Sequence, residues 1–81
     1  MVKVAVWGSL QTATGNQAEV EVEAQDIREL LARLTEQYPA LKPQIDRGVS
    51  VSIDGQIYAT TLIAKIKPDS EVVLLPRLVG G

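Results

Sequence analysis

The chain runs out through Leu78, Val79, Gly80 and Gly81, and a free main-chain carboxylate on Gly81 would be the one reactive group here that needs no side chain. With glycine at about 7% of average usage, two glycines close a chain by chance roughly once in 200. The bland alternative is a frayed end, since terminal residues are commonly poorly ordered. A carboxylate that is to be activated must enter a partner's narrow channel, however, and glycine lacks the Cβ that would block the way. Other chemistry is scarce. There is no cysteine, hence no thiolate nucleophile, disulfide or sulfur ligand for a metal, and no histidine to act as general base or metal ligand. Asp54, Asp69 and Glu71 are the carboxyls that invite an acid–base reading. Two of them sit in turn motifs for conformational reasons, and a domain this small offers no pocket that would keep one carboxyl protonated beside an ionised one.

A second candidate is Trp7. Val2, Val4 and Val6 alternate with Lys3, Ala5 and Trp7, so if the valines are buried, Trp7 and Ala5 lie on the opposite face. An uncovered aromatic there is a docking anchor; a loop such as 41–48 or 59–66 folded over it would make it core instead. Leu74, Leu75 and Leu78 extend the same apolar patch towards the Gly-Gly end. Glu19, Glu21 and Glu23 form an acidic stripe that reads as a solvated face discouraging edge pairing, available to a basic partner surface.

The elements that must position these residues follow from periodicity. After the first strand, SLQTATGNQ supplies turn formers with Gly15-Asn16 as the reversal, and EVEVE is a second strand, antiparallel to the first. The period then changes to 3.6: Ile27, Leu30, Leu31, Leu34 and Tyr38 make one helical stripe, opened by a capping box of Asp26 and Glu29 and stopped at Tyr38 by Pro39. ALKPQIDRG is a connection with room for a short helical turn. VSVSI is a strand, Asp54-Gly55 a tight hairpin, Ile57-Tyr58 a weak strand, and Lys67-Pro68-Asp69-Ser70 a turn. EVVLLP lacks clean alternation and reads as a strand central in its sheet or covered on both sides. Pro76 has no N–H to extend a ladder, so the chain is expected to leave the sheet after it as a tether of about five residues, roughly 15 Å when extended. The organisation is thus a domain over 1–75 and a flexible tail over 76–81. The order is β-β-α-β-β-β, with one main helix on one face of a mixed sheet of four or five strands.

Composition narrows the function classes. The 81 residues are 46% apolar with no phenylalanine and one tryptophan, so the core is aliphatic, and their number sets one domain. Eight scattered basic residues against ten acidic ones, with few aromatics for stacking, disfavour nucleic acid. No apolar run approaches a membrane span, and MVKVAVWG lacks the features of a signal peptide, which sets the expectation of a cytoplasmic protein without membrane partners.

The strand-turn-strand start, the IRELLARLTEQYPAL helix, VSVSIDGQIY, IKPDSEVVLLP and the final VGG together resemble the MoaD/ThiS family of ubiquitin-like sulfur carriers, over almost the whole chain. The resemblance implies a β-grasp fold and a protein co-substrate rather than an enzyme. It also implies an adenylating partner, related to ubiquitin-activating enzymes, that uses ATP and magnesium to convert the Gly81 carboxylate to an acyl-adenylate, from which a sulfur donor displaces AMP to leave a thiocarboxylate. No cofactor would be bound by the carrier itself. On this basis Gly81 is the reacting residue, Gly80, Val79 and Leu78 thread the tail, and Arg77, Pro76, Leu75 and Trp7 face partners. The length and the EQYP helix end are closer in build to molybdopterin synthase small subunits than to the shorter thiamine carriers. That points to sulfur donation in molybdopterin synthesis through a larger synthase subunit, with thiamine, cysteine or tRNA thiolation, or conjugation to lysines through Gly81, as alternatives. Pro76-Arg77 and Val79 stand where molybdopterin-type carriers commonly have Pro-Pro and Ser, which leaves the sulfur acceptor open. Arg77 at the tail root either meets a partner carboxylate or keeps that segment soluble.

Overall fold

Five strands form one mixed sheet in a computed structural model that describes residues 1–58 and 63–76. Strand β1 (Val2–Val6) pairs antiparallel with β2 (Glu19–Val22), with Val2 opposite Val22 and Val4 opposite Val20. The period-two pattern therefore puts four valines on one face, all buried, and Lys3, Glu19 and Glu21 on the other. Strand β5 (Val72–Pro76) lies parallel to β1 and antiparallel to β3 (Val49–Ile53), and β4 (Gln56–Tyr58) closes the far edge, for a strand order β2-β1-β5-β3-β4. The sequence expectation of a central final strand holds. Its two faces differ, however: Val72 and Leu74 are buried, while Val73, Leu75 and Pro76 are half-buried.

Helix α1 (Ile27–Gln37) supplies the layer over the valine face, burying Ile27, Leu30 and Leu34. Leu31 and Tyr38 of the expected stripe are only partly buried at its margin. The Glu29 N–H donates to Asp26 Oδ1 at 2.8 Å, which satisfies one of the unpaired donors of the first turn. The reciprocal bond goes one residue further out than a capping box requires, from the Gln25 N–H to Glu29 Oε1 at 3.1 Å. Asp26 is meanwhile held extended, at φ −152°, by a bridge to Lys65 in which Ile27 N–H donates to Ala64 O and Ile66 N–H to Gln25 O. The helix stops at Tyr38, as the following proline dictates. The connection to β3 then forms a 3-10 turn (Pro39–Leu41) and a short helix α2 (Lys42–Arg47), and Leu41 is fully buried under it.

The segment between β1 and β2 departs from the expected run of turns. It is a 3-10 helix over Gly8–Thr14, with Leu10 and Thr14 buried beneath it. Leu10 extends the core, and the Thr14 hydroxyl is satisfied locally, within reach of Gln11 O at 3.0 Å and Gln17 O at 2.9 Å. The reversal itself falls where expected, with Gly15 and Asn16 both left-handed at φ 67° and 65°. At the other hairpin Asp54 (φ 51°) and Gly55 (φ 88°) adopt the two positive φ values of a two-residue turn joining the Ile53–Gln56 pair. No helix among the described residues is long and apolar enough to cross a membrane.

Candidate functional site

The last described residues of β5 place the root of the chain's final segment at the centre of the sheet, beside the end of β1. Val6 is in register with Leu74, and the Trp7 N–H donates to Leu74 O at 3.1 Å, so Trp7, just past the end of β1, lies beside the last residues of β5. Trp7 is 56% exposed, on the sheet face away from α1. The reading in which a loop covers it and makes it core is therefore overturned. The 41–48 segment is instead taken up by the 3-10 turn and α2, whose Leu41 adds to the core on the opposite face. Residues 59–62 of the other candidate loop lie outside the described residues.

Leu74 requires a correction. Its expected place is the exposed patch it would share with Leu75, yet it is fully buried, between Val6 on β1 and Val51 on β3. The cause is the pleat: successive residues of a strand face opposite sides, and only odd positions of β5 share the open face with Ala5 and Trp7. Val73, opposite Ala5, takes the place assigned to Leu74. Leu75 is half-buried and sits opposite Ser50 of β3, and Ser50 is itself 4% exposed. Leu78, Arg77, Val79, Gly80 and Gly81 lie outside the described residues.

Pro76 ends β5 opposite Val49, one residue beyond the boundary drawn at 75. Its ring rests against Gly8: a Cβ built on Gly8 would stand 3.1 Å from Pro76 Cγ, and Gly8 has φ 63°. A side chain at position 8 would be both strained and crowded. Sequence reasoning misses this contact because Gly8 looks like one turn former among several, and only the parallel pairing of β1 with β5 brings position 8 to position 76.

The open face carries a trough of about 540 Å3 along β2, β1 and the approach to β5. Ala5, Trp7 and Val73 form its apolar floor, with Lys3, Glu19, Glu21, Asp69 and Glu71 among its walls. Of the carboxylates that invite an acid–base reading, Asp54 has a structural role, and Glu71 is tied to it through its main chain. Asp54 N–H donates to Glu71 O, and Glu71 N–H donates to Asp54 Oδ1, both at 2.8 Å, clamping the hairpin to the strand that follows the Lys67–Ser70 turn. That turn is closed by Ser70 N–H to Lys67 O and by Lys67 N–H to Ser70 Oγ, each at 3.0 Å. Among the described residues no cluster of acidic side chains is arranged to hold a metal ion.

The ThiS family model aligns with residues 4–81. The chain belongs to the ThiS family. Its members are small sulfur carriers that are substrates rather than catalysts, and this chain is accordingly a sulfur carrier or ubiquitin-like modifier of the ThiS type. Solved structures agree on the β-grasp fold. A chain of the BexX/CysO complex from Amycolatopsis orientalis superposes with a TM-score of 0.80 at 21% identity, covering 100% of both chains. CysO from Mycobacterium tuberculosis gives 0.79 at 19% identity, covering 96% of this chain and 100% of that one. The small archaeal modifier protein 1 from Methanosarcina acetivorans gives 0.76 at 24% identity, covering 99% and 95%. No curated protein matches the chain.

Proposed function

We propose that the protein carries sulfur as a thiocarboxylate on Gly81, with residues 77–81 as a tether that starts after Pro76 and the sheet face around Trp7 and Leu75 as the docking side. The observation that carries this reading is the family match reaching Gly81, downstream of a central strand whose end is fixed against Gly8. The chemistry belongs to a partner of the ubiquitin-activating type. The Gly81 carboxylate attacks the α-phosphorus of ATP, pyrophosphate leaves, and a sulfur nucleophile then displaces AMP from the acyl carbon. Gly80 and Gly81 admit the main chain to that enzyme's channel, Val79 and Leu78 line its passage, and Arg77 contacts the partner at the entrance. Sulfur held on a main-chain acyl group needs no cysteine in the carrier, in keeping with its absence from the sequence.

The acceptor we favour is a molybdopterin precursor, on the strength of the chain's length and its EQYP helix end, in the cytoplasm and with a larger synthase subunit. A second reading, transfer of Gly81 to lysine amines, draws support from the fold shared with a protein named a modifier. Reconstitution separates them. Thiocarboxylated protein offered to a pterin synthase subunit should lose its sulfur to the pterin, whereas conjugation would give covalent ladders that survive reducing denaturation. The activation step is tested by adding one alanine after Gly81. The extended protein should support no ATP–pyrophosphate exchange with an adenylating enzyme that accepts the wild type, and full exchange would refute the assignment of Gly81.

A further inference from the structure

On the β1 side of β5 the ladder stops at Leu74, which lies opposite Val6 and accepts from the Trp7 N–H at 3.1 Å. Past Trp7 the neighbouring chain turns away into the 3-10 helix Gly8–Thr14, and Pro76 has no N–H with which to extend a ladder. What meets Pro76 there is the first residue of that helix: a Cβ built on Gly8 would stand 3.1 Å from Pro76 Cγ and 3.7 Å from Pro76 Cδ. The seat is itself anchored. Leu10 is buried beneath the same helix, and Gln11 Nε2 donates to Val6 O at 2.8 Å, tying the helix back to the end of β1. Val49 of β3 lies across from Pro76, so the proline is held between a strand and a packed turn of helix.

We infer that Gly8 is a positioning residue for the reaction at Gly81: its missing Cβ leaves the seat for the Pro76 ring, and the seated ring sets the direction in which the final segment leaves the sheet. This role rests on the carrier reading. Proline makes the contact directional, because Cδ is bonded to the residue's own main-chain nitrogen and the ring holds φ at about −65°. A push on the ring therefore turns the backbone, with no rotamer to absorb it. A methyl at position 8 would move the ring by a few tenths of an ångström at the root of the five residues that follow, and among the described residues it would meet nothing else within 4 Å beyond its chain neighbours. Reach and direction differ in size. Freeing Pro76 would lengthen the five-residue tether by one, which lowers the effective concentration of its end only roughly 1.3-fold. A carboxylate delivered off line loses far more, since a misplacement of about 1 Å can cost roughly 100-fold in rate.

The test is ATP–pyrophosphate exchange by the host's adenylating enzyme with the full chain as substrate, at a temperature where circular dichroism shows each variant folded. Gly8→Ala should lower kcat at least roughly tenfold and leave KM for the carrier within about twofold. Gly15→Ala imposes a similar backbone strain, at φ 67°, in open space, and should leave both constants unchanged. Pro76→Ala removes the ring without straining position 8 and should reproduce the kcat loss, which keeps the test decisive if Gly8→Ala does not fold. In the double variant the two losses should not multiply, because both abolish one contact. In the free wild-type protein, a nuclear Overhauser contact between the Gly8 α-protons and the Pro76 ring should report the seat itself. Absence of that contact, a kcat loss below about twofold, a loss in KM alone, or losses that multiply would overturn the positioning role and leave the carrier reading intact. Absence of any exchange with wild type overturns the carrier reading, and the role of Gly8 with it.

Discussion

The two adjacent leucines of β5 offer a sharp test of how this sheet is built. Leu74 is fully buried between Val6 and Val51, whereas Leu75 lies half-buried on the open face. Truncating a fully enclosed leucine to alanine loses its transfer free energy and leaves a cavity, for a cost of about 2–5 kcal/mol. A domain of this size is stable by about 4–12 kcal/mol, so Leu74→Ala removes a large part of the margin. At about 3 kcal/mol the thermal midpoint should fall by roughly 12–24 °C. Leu75→Ala removes the same three carbons from a site already half in water, and at about 0.8 kcal/mol per buried methylene it should cost only about 1 kcal/mol. Urea titration followed by circular dichroism measures both, with the slope unchanged if neither alters the unfolded chain. The ordering should reverse for function, since Leu75→Ala should weaken capture by the activating enzyme and Leu74→Ala should not, at temperatures where both are folded. Equal destabilisation by the two substitutions would refute the assignment of faces.

Asp26→Ala removes the acceptor for the Glu29 N–H and should cost about 1 kcal/mol by the same titration, with Asp26→Ser recovering most of it. Gly55→Ala forces a side chain into φ 88° and should cost about 1–2 kcal/mol, while Asn at position 54 should be tolerated at φ 51°. Gly8→Ala meets both a φ of 63° and the Pro76 ring, so its loss of stability should exceed that of Gly15→Ala, which has a similar φ but open space; parallel melts decide. Trp7→Ala should change stability by only about 1 kcal/mol yet raise KM with the activating enzyme more than roughly tenfold, as measured by pyrophosphate exchange.

The elements with a clean period are legible in the sequence. Val2, Val4 and Val6 opposite Val20 and Val22, the Ile27–Leu34 stripe and the Asp54-Gly55 turn all carry local signals that tertiary packing reinforces. The 3-10 helix at Gly8–Thr14 is not legible, because its serine, threonines and glycine are equally good turn formers and only burial of Leu10 fixes it as a packed element. The shared face expected for Leu74 and Leu75 fails for a related reason: the run VVLL has no alternation, so its faces are set by pairing with β1 and β3 and not by its own pattern. The contact of Gly8 with Pro76 is non-local and leaves no trace in either segment. The family resemblance, by contrast, is carried by the Gly-Gly run and the helix and strand segments together, and the family match confirms it at that level.

In the proposed function the reacting group is the Gly81 main-chain carboxylate. Incubation of the intact protein with the adenylating enzyme, ATP with magnesium and a sulfur donor, followed by tandem mass spectrometry, tests it directly. The expected result is a mass gain equal to exchange of one oxygen for sulfur, located on the fragment that contains Gly81. Sulfur on any other fragment, or an unchanged mass with an enzyme proven active on its own carrier, contradicts it.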